Sequence, residues 1–150
     1  MKDYLRSKYF VKSFFALIVF AQASLLAQPA IQWDKTIGGP VDSYLFSSQL
    51  TADGGYILGG YGRFGTSYNK TDPGVGKVDF WIVKLAADGK KEWDHAYGGP
   101  ADDLLVSVQQ TPDGGYILGG MSNSDAGGDK SENNNSGSNE GYRQNDYWVV

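Results

Sequence analysis

Four aspartate positions occur twice along the chain, as Asp34 and Asp94, Asp42 and Asp102, Asp53 and Asp113, and Asp79 and Asp146. Paired carboxylates can do acid–base work on a glycosidic bond, one as general acid and the other as base or nucleophile. A catalytic pair is needed once, however, whereas a turn is needed in every repeat, so recurring carboxylates read first as structure. Asp42 and Asp102 are expected to cap the turn that follows Gly-Gly-Pro. Asp103 stands opposite Ser43 and is not repeated, which leaves Asp103 with Glu132 as the candidate acid–base pair. Its neighbour Asp102 would point to the opposite face of a strand and would not cooperate with it. His95 is the only histidine and is expected at a solvent-facing edge. Ser47 and Ser107 have no histidine or lysine base in a recognisable arrangement, so nucleophilic catalysis lacks its activator. The Gly-Gly pairs lack the spacing of phosphate-binding loops.

A second chemistry would be cation binding. Met121 to Asn145 reads MSNSDAGGDKSENNNSGSNEGYRQN, a polar stretch with no apolar periodicity. Such a stretch is either disordered or functional. Asn123, Asp125, Asp129 and Glu132 are its candidate ligand-binding residues, with Asp125 and Asp129 the candidates for calcium, a hard cation that takes oxygen ligands. Their spacing does not follow the EF-hand pattern. The alternative is polar contact with a glycan or an extracellular protein and no cofactor.

These residues are positioned by a repeat. Trp33–Gly60 returns as Trp93–Gly120 at an offset of 60, with 18 of 28 positions identical. Asp53-Gly54-Gly55 and Asp113-Gly114-Gly115 are tight-turn signals, since Gly accepts positive φ and Asp bonds to nearby backbone. Leu45, Ser47, Gln49 and Thr51 recur as Leu105, Ser107, Gln109 and Thr111, and identity at alternate positions predicts one face of a strand. The second strand is Tyr56–Gly60, returning as Tyr116–Gly120, its glycine pair pointing to a bulge or close backbone packing. The third is Asp79–Leu85, echoed by Asp146–Val150, with Trp81, Val83 and Leu85 on its apolar face and Lys84 directed to solvent. The fourth is Lys91–Tyr97 after an Asp88-Gly89 turn, with an earlier counterpart at Ile31–Ile37. Trp33, Trp81, Trp93 and Trp148 suit packing between repeats, with sugar stacking as the alternative.

Four short antiparallel strands per 60-residue period predict an all-β fold of four-stranded β-propeller blades, over a solenoid or a small sandwich. The repeat domain is expected over residues 28–150, in units of about 33–92 and 93–150. Propellers usually close with four to eight blades, and strands for only about two are present, the last stopping at Val150 inside a strand. An incomplete propeller is therefore expected, with missing blades or self-association covering its open flank.

The first 27 residues are expected to be a signal peptide. Lys2, Arg6, Lys8 and Lys12 precede the apolar run Phe14–Ala21, with small residues at Ala21, Ala23 and Ala27 as cleavage sites. The run is too short to span a bilayer, so no membrane span is expected after cleavage. An uncleaved signal anchor is the alternative. Without that segment nine basic residues face sixteen acidic ones, a net charge of −7, which repels nucleic acid. The absence of cysteine excludes disulfides, thiolate nucleophiles and Cys-ligated zinc.

The blocks TADGGYILGG, TPDGGYILGG and DFWIVKLAADGKKEWDHAYGG resemble repeats of secreted bacterial proteins, especially of the Bacteroidetes. The resemblance implies β-propeller-like domains, often followed by a C-terminal sorting domain for type IX secretion, and export to the surface or surroundings of a Gram-negative cell. It carries no catalytic residues to transfer. The function expected is a noncatalytic extracellular interaction or scaffolding module, with a fragment of a carbohydrate-active hydrolase or lyase as the alternative.

Overall fold

The computed structural model describes residues 30–63, 65–67, 69–135 and 144–150. The expected signal peptide and residues 136–143 of the long loop lie outside the described residues. The described residues are all-β: β1 (Ser43–Leu50), β2 (Tyr56–Arg63), β3 (Val78–Leu85), β4 (Lys91–Tyr97), β5 (Asp103–Gln110), β6 (Tyr116–Ser122) and β7 (Asp146–Val149). They form two antiparallel sheets, β1-β2-β3-β4 and β5-β6-β7, and neither sheet closes on itself. Among the described residues no helix is long and apolar enough to cross a membrane.

Three turns share one construction. Gly54 adopts a φ of 81° while Asp53 Oδ1 accepts the Gly55 N–H at 2.9 Å, and Gly114 (88°) repeats this with Asp113 and the Gly115 N–H at 3.2 Å. Gly89 (80°) follows Asp88, which accepts the Lys90 N–H at 2.9 Å. Each glycine sits in the left-handed region that a side chain would strain.

The first strand of each sheet departs from simple alternation. Leu45 pairs with Gly60 and Ser47 with Gly59, leaving Phe46 as a bulge; Leu105, Val106 and Ser107 do the same against Gly120 and Gly119. The bulge lies opposite the glycine pair rather than within it. It presses the backbone inward, so that a Cβ on Gly60 would strike the Tyr44 carbonyl and one on Gly120 the Leu104 carbonyl. The repeated positions consequently do not line one face, correcting the alternate-face expectation. Leu105 and Val108, three apart across the bulge, are both buried, while Ser107 and Gln109 are exposed.

Two other expectations are corrected. Ile31–Ile37 forms no strand, since no strand lies ahead of it among the described residues to continue a ladder. It keeps its packing: Trp33 meets Tyr56 edge-on at 5.5 Å and 68°, as Trp93 in β4 meets Tyr116 at 5.7 Å and 68°. Lys84 does not reach solvent. It is buried, because β3 is an interior strand covered on both faces, and it bridges Asp53 at 2.8 Å and Glu92 at 3.1 Å. Burial opposes its charge, but the hydrogen bonds to Asp53 and Glu92 outweigh that and raise its pKa.

The main core lies between the sheets. Ile57, Phe80 and Ile82 of the first pack on Leu105, Val108 and Leu118 of the second, with Trp93, Tyr97, Tyr116 and Trp148 around them. Trp81, Val83 and Leu85 form a smaller cluster on the opposite face of the first sheet, where Ile37 covers part of it. Ser47 and Gln49 close the seam on the polar side. The Val108 N–H donates to Ser47 Oγ at 3.3 Å and the Gln110 N–H to Gln49 Oε1 at 2.7 Å.

Candidate functional site

Gly98-Gly99-Pro100 leaves β4 and turns toward β5, and its two glycines are buried. Their N–H groups need acceptors, and residues from the following loop and strand supply them. Gly99 donates to Asp103 Oδ2 at 2.7 Å and Gly98 to Asp129 Oδ2 at 3.1 Å. In the earlier copy Gly39 donates to Ser43 Oγ at 3.1 Å. The capping position is therefore Ser43 and Asp103, one residue beyond the expected Asp42 and Asp102. Asp102 instead exchanges backbone bonds with Asn123, whose Oδ1 accepts its N–H at 2.9 Å and whose own N–H donates to the Asp102 carbonyl at 3.1 Å.

All four candidate loop residues lie among the described residues. Asn123 and Asp129 hold the Gly98–Asp102 segment, and Glu132 stands exposed. Asp125 is half-buried beside them, with its carbonyl near Gly99. Among the described residues no group of three or more carboxylate or histidine side chains gathers in a metal-holding cluster. Asp129 uses a carboxylate oxygen on the Gly98 N–H and Asn123 its amide oxygen on the Asp102 N–H, so these two side chains act as clamps on backbone.

Asp103 and Glu132 do not form an accessible acid–base pair. Asp103 is wholly buried, accepts from Ser124 Oγ at 3.0 Å besides Gly99, and has a buried Oδ1 with no hydrogen-bond partner among the described residues. A bridge between Val78 and Asp102 brings Asp79 alongside it. Asp79 is also fully buried, accepting the Val75 and Gly76 N–H groups at 2.9 and 3.1 Å. Burial raises its pKa, those two bonds oppose the rise, and the nearby Asp103 charge adds to it. The two carboxylates stiffen the junction between the sheets and are closed to a substrate.

Two buried lysines escaped the sequence reading. Lys70 and Lys130 lie 60 apart in loops that look unrelated, yet each makes a bridge three residues back, to Ser67 and Gly127. Each ammonium donates to a carbonyl, Lys70 to Asp72 at 2.5 Å and Lys130 to Ser124 at 2.6 Å. Burial lowers the Lys70 pKa against the nearby charges of Asp72, Asp79 and Asp94. The signal was present as Lys70-Thr71-Asp72 against Lys130-Ser131-Glu132, a basic–hydroxyl–acidic triplet kept at the repeat offset.

The first loop is anchored to β4. Asp94 is buried and accepts from the Thr71 N–H at 2.8 Å, Trp81 Nε1 at 3.0 Å and the Lys91 ammonium at 2.5 Å. Burial opposes its charge, but the bonds from Lys91, Thr71 and Trp81 hold its carboxyl well below the usual range. Asp72 accepts the Ala96 N–H at 3.1 Å and lies 3.7 Å from His95 Nδ1.

The open surface with recognition chemistry lies beside these anchors. Trp93, His95 and Tyr97 alternate along β4 and face a cleft of about 400 Å³ completed by Ile82, Tyr116, Leu118 and Val150. Ring centroids run 5.5 Å from Trp93 to His95 and 6.2 Å from His95 to Tyr97. Burial raises the Tyr97 pKa and the charges of Asp129 and Asp72 add to this, so its hydroxyl stays a donor at neutral pH. His95 is exposed on an edge strand of its sheet. A row of flat rings with polar groups along its rim can stack on an extended or cyclic ligand and bond to its periphery. Compared with known proteins, the chain matches no family model, and no curated protein is significantly similar to it.

Proposed function

We propose that this chain is a noncatalytic extracellular interaction module built of propeller-like blades, with a glycan as the ligand of the Trp93–Tyr97 cleft. The open ring-lined cleft carries the reading. Its aromatic faces suit the C–H faces of sugars, while the carboxylates of Asp72 and Asp129 near Tyr97 keep lone pairs that can accept from hydroxyls. The carboxylates around it are engaged in holding backbone N–H groups, which favours binding over bond cleavage. The blade reading is supported by the two Trp–Tyr contacts of matching geometry, and export by the sequence features of residues 1–27.

Glycan-array screening of the chain tests it. An enriched glycan whose retention is abolished by Tyr97→Ala is expected. Failure to retain any glycan counts against the reading, and release of shorter sugars from a retained polysaccharide favours a hydrolase or lyase.

A further inference from the structure

The contact between the two sheets has two unlike halves, and the chain displays an unused copy of each. Phe80 projects from the first sheet, and its ring lies 4.8 Å from that of Trp148. A Cβ on Gly120 would come within 2.8 Å of that ring. Phe80 therefore occupies a seat made by Leu105, Leu118, Gly120 and Trp148. The residues at the same places in the first sheet are Leu45, Leu58, Gly60 and Trp81, and they line an open cavity of about 160 Å³. Strand pairing makes the equivalence strict: Trp81 faces Gly60 as Trp148 faces Gly120, and Phe80 faces Tyr61 as Tyr147 faces Met121.

Tyr147 is thus the counterpart of Phe80, and it stands outward, 94% exposed where Phe80 is 0%. Ile117 and Val149 beside it are exposed, whereas their counterparts Ile57 and Ile82 are buried. The polar seam is duplicated too. Ser107 and Gln109 stand exposed in the role of Ser47 and Gln49, and the backbone of Ser48 and Leu50 on edge strand β1 occupies the place of Val108 and Gln110.

We infer that the second sheet of one molecule docks on the first sheet of a second copy, with Tyr147 entering the Leu45–Leu58–Trp81 cavity. Lys35 and Ser43 in the cavity lining give the phenolic oxygen polar partners. Ser107 and Gln109 bond the β1 edge of the neighbour as Ser47 and Gln49 bond β5 within the chain. The contact is head-to-tail, so each docked pair still displays one cavity and one tyrosine, and growth continues until a ring closes or a filament forms. The inference rests on the blade reading and is independent of the glycan.

Sedimentation velocity of the chain against concentration, with Leu45→Asp and Tyr147→Asp variants, tests it. Both side chains are exposed, so neither change should disturb the fold. The wild type is expected to grow beyond dimer with concentration, and each variant alone to remain monomeric. An equimolar mixture of the two variants should form a dimer and nothing larger, since one keeps the tyrosine and the other the cavity. A monomeric wild type at its highest soluble concentration overturns the inference, as does either variant associating like wild type. So does a mixture that stays monomeric. Glycan retention by both variants would leave the cleft reading standing whichever way association falls.

Discussion

Leu45 and Leu105 are the same residue at the same place in two copies of one unit, yet Leu45 is 63% exposed and Leu105 is 0% exposed. Ile57 and Ile117 show the reverse, the earlier copy buried and the later one exposed. Identical strands, turns and bulges therefore carry opposite burial, decided by which side of each sheet has a neighbour. The pattern teaches that the repeat is built to be covered on both faces, and that among the described residues the inner pair of faces is covered while the outer faces stay open at Leu45 and at Ile117.

The strongest test of this contrast is truncation of the two leucines. Leu105→Ala is expected to cost about 2–5 kcal/mol, the range for emptying a core site. Leu45→Ala in dilute solution should stay within about 0.5 kcal/mol. Similar losses in urea denaturation would break the comparison. The glycines give the next effect. A Cβ on Gly59 would lie 2.7 Å from Val108 Cγ1 and 2.9 Å from Leu105 Cδ2, whereas one on Gly119 meets nothing within 4 Å. Gly59→Ala should cost about 1–3 kcal/mol by overpacking. Gly119→Ala should be neutral or stabilising by up to about 1 kcal/mol through the unfolded chain. A destabilised Gly119→Ala would place an unseen contact on that face.

The aspartates sharpen the same point through pH. Asp94→Ala strands the Trp81 and Thr71 N–H groups and should cost about 1–3 kcal/mol. Asp34→Ala, at an exposed position, should change stability by no more than about 0.5 kcal/mol. Because the folded pKa of Asp94 is depressed, its contribution is present above the ordinary value of 3.8 and is lost as pH falls toward the depressed one. The stability of Asp94→Ala should therefore fall less steeply than wild type below that value. Equal acid slopes would remove Asp94 from the account. The smallest contrast is between turns. Asp53 and Asp113 accept the same turn bonds, but only Asp53 pairs with buried Lys84. Asp53→Ala should lower the urea midpoint more than Asp113→Ala, and equal shifts would show that the ion pair adds nothing.

Much of the fold was legible. The Asp-Gly turns, the four strand segments of the first full unit and the three of the second are where periodicity and turn chemistry put them. The bulge was legible only as a glycine pair, because the extra residue sits on the partner strand. Lys84 was misread since alternation assigns a face but not what covers it. The candidate site was less visible. Asn123 and Asp129 were marked by their oxygen chemistry, but only the folded chain shows those oxygens on the Gly98–Asp102 backbone. The cleft rings of Trp93, His95 and Tyr97 alternate in the sequence, yet Tyr116 reaches them from a different sheet.

By itself the sequence determined what is local: strand and turn positions, the period of 60 and the chemical identity of each face. These follow from backbone preferences and side-chain alternation acting over a few residues. Only the tertiary structure decided which faces meet, that Phe80 fills a seat while Tyr147 has none, and that Asp103 is sealed instead of reactive. Burial belongs to the neighbour as much as to the residue, so two copies of the same segment can share every local property and differ in this one.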